Sequence, residues 1–550
     1  MKEKIEKIET SRKEEKKLET MSPFELKNNL IALANSHPLG RPGDKSAHAM
    51  LNAGRGNPNW VATTPREALF TLGNFAMEEC RKTMDYKQGL AGIPENNGIA
   101  ERFREFLDKH PESPGIELLK ELYRYGVEKH QFDPDAFVHE LAEGVTGDQY
   151  PVPDRMLIHA EAIVHDYLMK EMCNNKPPSG KYDLFAVEGG TAAMCYIFDS
   201  LMQNFLVKRG DKVALFVPTF TPYIEIPELD RFHFKVVLIK ATGKSEDGYH
   251  NWEYPDKELE KLKDPDIKVA YLVNPSNPPS VALNPHERKK IVQIVKKDNP
   301  NLMFITDDVY GTFVEGFRSL MAEIPHNTLG VYSFSKYFGC TGWRLGVVAL
   351  HEKNVFDKMI KDLSKSKKKA LHKRYESIHL HPEKLKFIDR MVADSRMVAL
   401  NHTAGLSLPQ QTQMMLFAAF ALFDRENAYK ALTREIVGSR LKLLMEGLGF
   451  TIKPNPDRAG YYAELDIMLW AKKNYGKDFA KYLKKNFEPV DILFRLAELC
   501  SVVLLNGGGF DAPEWSIRVS LANLKNEDYV IIAKSIKTIV EEYLEAWKKN

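Results

Sequence analysis

The sequence predicts an α/β protein, with a large domain built on a mainly parallel seven-stranded sheet between helices, and a smaller α/β domain beside it. Three observations predict this. From Leu184 onward, short apolar runs alternate with helical stretches, the pattern of successive βα units. The runs are apolar at nearly every position, as in strands buried on both faces. The residues able to do chemistry follow directly after the runs, at the edge where a parallel sheet exposes its carboxyl ends.

Residues 1 to about 20 alternate Lys and Glu, with Ile5, Ile8 and Leu18 the main apolar positions. They read as a solvated helix or a disordered tail, with subunit contacts as the alternative. Ser22-Pro23 opens an amphipathic helix, 24–34, that docks on another surface. Gly40-Arg41-Pro42-Gly43 is a loop, and 51–60 is a glycine-rich loop where backbone can approach a ligand closely. Helices are expected near 65–84, 98–109 and 116–130. A Pro- and Gly-marked connection, 132–147, then leads to an amphipathic helix over 155–172.

The expected sheet strands are 184–187, 212–217, 234–239, 269–273, 302–306, 329–332 and 345–350. A helix over 192–207 starts directly after Glu188-Gly189-Gly190-Thr191. Small residues at that start leave backbone N–H groups and the positive end of the helix dipole open to an anion. Residues 361–374 are strongly basic and read as a solvated helix or loop, 408–423 as a buried helix, and 430–550 as helices alternating with short strands. The expected divisions are an N-terminal arm and substrate loop (1–60), a helical segment (61–150), a large cofactor domain (151–395) and a small C-terminal domain (396–550).

Composition narrows the class. With 550 residues, 43% hydrophobic and 28% charged, the chain is an ordinary soluble globular protein. A formal charge of +2 gives no argument for nucleic acid or an anionic membrane as partner. No apolar run reaches membrane-spanning length, and the N-terminus lacks a signal-peptide layout. Cys80, Cys173, Cys195, Cys340 and Cys500 are scattered without C-x-x-C or zinc spacing, so a reduced cytoplasmic protein with no metal is expected. Gly243-Lys244-Ser245 is not a phosphate-binding P-loop, because Leu238 stands where that motif needs glycine.

The chemistry gathers at strand ends. Tyr332-Ser333-Phe334-Ser335-Lys336 puts two hydroxyls and an amine just past a strand, with Arg344 eight residues on (344 − 336). That set can form an imine with an aldehyde cofactor and hold its phosphate. Gly189-Gly190-Thr191 can cradle a phosphate, and Asn277 can donate from a Pro-flanked loop. Asp307 is a carboxylate at the sheet edge, with Tyr310 three residues on. A buried carboxylate needs water or a cation, and a protonated pyridine nitrogen is such a cation.

With these motifs the chain resembles the fold-type I pyridoxal 5′-phosphate enzymes of the aspartate aminotransferase superfamily, over roughly 145–360 and 395–525. The resemblance implies that Lys336 carries the cofactor and moves protons, and that Asp307 keeps the pyridine nitrogen protonated. It implies that Asn277 and Tyr310 hold the ring's phenolic oxygen, and that Gly190, Thr191, Ser333, Ser335 and Arg344 hold the phosphate. Phe220 takes the place of the ring-stacking aromatic. Tyr150 fits the catalytic tyrosine that reaches a neighbouring subunit's phosphate, with Tyr86 as runner-up. Arg518 fits the clamp on the substrate's α-carboxylate, with the Gly56 backbone beside it.

The chain is longer than a typical member, with the excess in the arm, a helical insert around 85–145 and a basic insert around 360–395. The layout around Met21-Ser22-Pro23-Phe24-Glu25-Leu26, Gly147-Asp148-Gln149-Tyr150-Pro151 and Leu406-Ser407-Leu408-Pro409-Gln410-Gln411 is similar to the aspartate 4-decarboxylases. That likeness implies L-aspartate as substrate, alanine and CO2 as products, exchange with 2-oxo acids as a side activity, and a homo-oligomer, at least a dimer. An aminotransferase that never decarboxylates is the alternative. Arg55, Arg396 and His402 are the candidates for contact with the β-carboxylate.

Overall fold

The central sheet has seven strands: β1 Tyr182–Val187, β2 Lys212–Val217, β3 Lys235–Lys240, β4 Ile267–Val273, β5 Met303–Asp307, β6 Thr328–Ser333 and β7 Gly346–His351. They come from a computed structural model that describes residues 11–36, 50–243, 250–397 and 405–549. Residues 1–10, the Gly40-Arg41-Pro42-Gly43 loop, Lys244-Ser245 and the distal candidate His402 lie outside the described residues.

The spatial order is β1-β7-β6-β5-β4-β2-β3. β7 runs antiparallel to both neighbours, and the other pairs are parallel. The continuous apolar runs have a direct cause. Alternate side chains of one strand enter different cores: Val213, Leu215 and Val217 face one, Ala214 and Phe216 the other. Val269, Tyr271 and Val273 divide from Ala270 and Leu272 in the same way. A period-two backbone with both faces covered favours an apolar side chain at nearly every position.

The segment 132–147, expected as a connection, is instead largely a helix, Pro134–Thr146. Asp133 caps it by accepting from the Ala136 N–H, Pro134 occupies its first turn, and Gly147 ends it in the left-handed conformation. The proline and glycine are therefore a helix start and stop. Phe137, Val138, Leu141 and Ala142 are buried, and the helix packs between Thr64–Thr83 and Leu408–Phe423.

Leu408–Phe423, within the 396–550 segment, joins the large core against Ile158–Met172. A separate core unites Leu26, Leu30, Leu51 and Ala53 of the N-terminal segment with residues from Leu441 to Tyr543. Its sheet is antiparallel, with Ser516–Ser520 between Tyr462–Asp466 and Leu505–Asn506. Leu51–Asn52 adds a parallel pair with Val502–Val503.

The described end of the arm is a helix that is solvated apart from one buried position. Arg12–Leu18 is a helix in which Arg12 pairs with Glu488 at 2.7 Å and Glu15 is buried. Burial and the neighbouring Asp491 push the Glu15 carboxyl up to about 8. The basic segment forms the helix Lys365–Tyr375, exposed apart from buried Leu371 and Tyr375 and half-buried Arg374, which pairs with Asp394 at 2.8 Å.

Candidate active site

β6 ends in Ser333, and the chain turns through Phe334, Ser335 and Lys336 to Gly339, whose φ is +60°. That turn grips the glycine-rich loop. Phe338 O accepts from the Ala62 N–H at 3.1 Å, Tyr337 O from Trp60 Nε1 at 3.1 Å, and Gly339 O from Arg66 Nη2 at 2.7 Å. The backbones come so close that a Cβ on Gly339 would lie 1.8 Å from Trp60 O. The grip brings the Gly56 carbonyl within 2.9 Å of Lys336 Nζ, and Tyr461 Oη donates to the same oxygen at 2.9 Å.

Asp307 is the last residue of β5, beside β6 in the sheet, so its carboxylate shares the carboxyl edge with the lysine turn. Tyr223 Oη donates to Oδ2 at 2.6 Å and the Val309 N–H to Oδ1 at 3.2 Å. Burial nevertheless pushes the carboxyl up to about 6, against those two bonds and the charge of Lys336. Asp308 faces the other way and accepts from Ser319 Oγ and from Thr306 Oγ1 at 2.7 Å. Burial pushes it up to about 7.

The helix Gly190–Gln203 opens beside this edge, and no side chain caps it. Arg344, at φ 57°, donates from Nη1 to Thr341 O at 3.0 Å and from Nη2 to Glu188 O at 3.3 Å. A Cβ at Gly189 would come within 2.7 Å of its Nη2. Ser333 Oγ donates to Ser335 Oγ at 3.0 Å.

The opposite wall comes from the smaller core. Arg518, on Ser516–Ser520, is 1% exposed. Its Nη1 donates to Asn277 Oδ1 at 3.3 Å and its Nη2 to Gly54 O at 2.9 Å. Its Nε makes no hydrogen bond among the described residues. The guanidinium lies 4.4 Å from the Tyr462 ring centre, 4.9 Å from Phe510 and 5.7 Å from Phe24. Tyr310 Oη donates to Tyr462 Oη at 3.1 Å. Burial alone would raise the Tyr462 phenol, but Lys336, Arg518 and the Tyr310 bond outweigh it and hold it below its ordinary value.

One cavity of about 330 Å³ gathers Gly56, Gly190, Thr191, Phe220, Asn277, Asp307, Tyr310, Ser333, Ser335, Lys336, Arg344 and Arg518. Tyr150 is not among its lining residues; it is 82% exposed, as Tyr86 is exposed, and Tyr150 borders a different hollow beside Glu140 and Glu143. Arg396 also lies off this cavity, with Nη1 2.7 Å from Asp154 Oδ1. Arg55 is exposed and near Lys27, whose ammonium is lowered by burial, then by Arg55 and Arg518. Sequence reasoning missed Phe24, Tyr223 and Tyr462 in the lining. Tyr223 and Tyr462 stand outside any quoted motif, and Phe24, though within Met21-Ser22-Pro23-Phe24-Glu25-Leu26, is far from the site in sequence; long-range packing brings all three in.

The donor set fits pyridoxal 5′-phosphate. Lys336 offers an amine, and Asp307 is a buried carboxyl that a ring cation would relieve. The uncapped helix start, two serine hydroxyls and Arg344 converge where a phosphate would sit. The buried Arg518, with its unpartnered Nε, is available to a carboxylate.

Comparison with known proteins agrees with this reading. The family model described as aminotransferase class I and II matches residues 185–536. A Pseudomonas protein named bifunctional aspartate aminotransferase and L-aspartate beta-decarboxylase is 46% identical over 537 residues, covering 98% of this chain and 99% of its own length. An aspartate aminotransferase of Sulfolobus acidocaldarius is 33% identical over 29% of this chain and 40% of its own. Among solved structures, a mutant aspartate aminotransferase of Thermus thermophilus has a TM-score of 0.58 at 15% identity, covering 94% of this chain and 96% of its own. An aromatic aminotransferase of Pyrococcus horikoshii has a TM-score of 0.55 at 17% identity, covering 90% and 96%. The chain belongs to the class I and II aminotransferase family, pyridoxal 5′-phosphate enzymes of fold type I.

Proposed function

We propose that the enzyme removes the β-carboxylate of L-aspartate to give L-alanine and CO2, with transamination against 2-oxo acids as a side activity. The observation that carries this reading is the extent of the likeness. The bifunctional Pseudomonas protein matches 98% of the chain, so the match takes in the arm and both inserts, whereas the Sulfolobus aminotransferase matches 29%.

Bound pyridoxal 5′-phosphate supplies an aldehyde that condenses with amines and a ring that accepts electron density from Cα. The chain's own groups do the rest. Lys336 Nζ carries the cofactor, then takes the Cα proton and later returns it. Asp307 holds a positive charge at the ring nitrogen, a cation that offsets the cost of burying the carboxylate. Asn277 and Tyr310 orient the ring through its phenolic oxygen, and Phe220 covers a face. Gly190, Thr191, Ser333, Ser335 and Arg344 hold the phosphate, joined by Tyr150 from a neighbouring subunit. Arg518 grips the α-carboxylate, with the Gly56 loop closing over it.

The β-carboxylate sets a different demand. A bidentate arginine would stabilise its charge by about 1.5–3 kcal/mol and so oppose the charge loss that decarboxylation requires. Exposed Arg55, with Lys27 beside it, gives a looser cationic contact than Arg518 does. The enzyme acts as a homo-oligomer, at least a dimer, in the cytoplasm. The exposure of Tyr150 and Val152 supports the first, and the free thiols of all five cysteines support the second. No described helix is long and apolar enough to cross a membrane.

The test is to incubate the purified protein with the cofactor and L-aspartate and measure CO2, alanine and oxaloacetate together. Alanine and CO2 in equal amounts support the reading. Oxaloacetate formed with a 2-oxo acid acceptor, and neither alanine nor CO2, would make the enzyme an aspartate aminotransferase.

A further inference from the structure

β-Decarboxylation carries a proton requirement that transamination lacks. Alanine regains at Cα the proton that Lys336 removed, so that transfer balances by itself. Replacing the bond from Cβ to the carboxylate by a Cβ–H bond takes up one further proton for each CO2 released. Some group beside the substrate must deliver it.

Three O–H donors of the cavity are committed elsewhere. Tyr223 donates to Asp307, Ser333 to Ser335, and Tyr310 to Tyr462. Because Tyr462 Oη receives the Tyr310 hydrogen, its own O–H must point another way. A Cβ built on Gly56 would lie 2.7 Å from Tyr462 Oη and 3.1 Å from Lys336 Nζ, so the two groups border one small volume. The same tyrosine packs its ring on Arg518 at 4.4 Å. An amino acid with its carboxylate on Arg518 and its amine at the Lys336 site spans this volume.

Resting on the decarboxylase reading, we propose that Tyr462 is a further catalytic residue, the proton donor to Cβ. The bond from Cβ to the carboxylate carbon breaks, CO2 leaves without the bonding pair, and that pair ends in the new Cβ–H bond. The hydrogen comes from Tyr462 Oη. The phenolate left behind is stabilised by Lys336 and Arg518, and recovers its proton from water. The groups facing this phenol are Lys336, Tyr310, Arg518 and the Tyr461 ring, 5.0 Å away. A pKa held below the ordinary phenol value matches a group that must yield a proton readily.

Tyr462→Phe keeps the ring on Arg518 and removes only the O–H. In the holoenzyme, alanine formation should fall by about 10²–10⁴-fold. Oxaloacetate formation with a 2-oxo acid should fall far less, so the alanine-to-oxaloacetate ratio should drop by at least about tenfold. A readout without turnover is tyrosinate absorbance of the cofactor-free protein against pH. Wild type should show one tyrosine ionising below the others, and the variant should lack it. Should the variant fold poorly, wild type alone suffices: its alanine-to-oxaloacetate ratio should fall as pH rises through that ionisation. An unchanged product ratio in the variant, joint loss of both activities with a raised KM, or a wild-type ratio flat across that pH range would overturn the assignment. Wild type making no alanine at all would instead remove the decarboxylase reading on which it rests.

Discussion

Tyr223 donates its hydroxyl to Asp307 Oδ2 at 2.6 Å across 84 residues of sequence, tying the short helix after β2 to the end of β5. Both partners are buried, so the bond steadies the carboxylate where water cannot. With a pKa of about 6, Asp307 stands where small changes in its neighbours decide its charge.

Tyr223→Phe removes a bond that lowers the Asp307 carboxyl, so its pKa must rise above about 6. An ionised Asp307 is needed opposite the ring cation. The acid limb of the pH–activity profile should therefore move to higher pH, with activity near pH 8 least affected. A limb that stays in place or moves down contradicts the assigned bond.

Asp307→Asn should act in opposite directions on stability and on function. The folded-state pKa of about 6 exceeds the ordinary carboxyl value of 3.8, so the cofactor-free folded state binds more protons than the unfolded state in that interval. This group's contribution to stability therefore falls as pH rises from about 4 to about 6, by about 3 kcal/mol at most. The cofactor-free variant should melt above wild type at pH 7.5 and lose that advantage near pH 4, while binding the cofactor at least about tenfold more weakly. Thermal denaturation at both pH values checks it; a lower melting temperature at pH 7.5 counts against it.

Arg518→Lys keeps the charge and loses the fork that meets a carboxylate with two parallel bonds. Charge-assisted bonds are worth about 1.5–3 kcal/mol, so KM for aspartate should rise on the order of 10–100-fold. Steady-state kinetics over a wide aspartate range measure this. A KM within twofold of wild type would place the α-carboxylate elsewhere.

Gly339→Ala strains two features together. The left-handed backbone costs an alanine about 1–2 kcal/mol, and its Cβ would overlap Trp60 O. The 56–62 loop must retreat from the lysine turn, taking the Gly56 carbonyl from Lys336. The expected result is a lower melting temperature together with weaker cofactor binding, read by fluorescence titration. Wild-type values for both would show that the loop is not held by this turn.

Strands buried on both faces are legible in sequence because nearly every position is apolar, and the exposed edge strand Lys235–Lys240 still carries the apolar run 236–239, so all seven sheet strands can be read within a few residues. The carboxyl-edge residues were legible for the same reason, since each follows directly on such a run. Pro134 and Gly147 misled because breakers also serve as helix boundaries, and the burial of Phe137 and Leu141 decides between the two. Leu51–Asn52 is too short to carry a period. Tyr223 and Tyr462 are two of 22 tyrosines, and only the packing of distant segments selects them.

The most direct measurement locates the lysine that carries the cofactor. Holoenzyme is reduced with borohydride, digested, and the pyridoxyl-tagged peptide identified by mass. The tag should fall on Lys336 alone, and in Lys336→Ala no lysine should carry it while turnover drops more than about 10³-fold. A tag on any other lysine of the wild-type chain, or steady turnover by Lys336→Ala, would contradict the account.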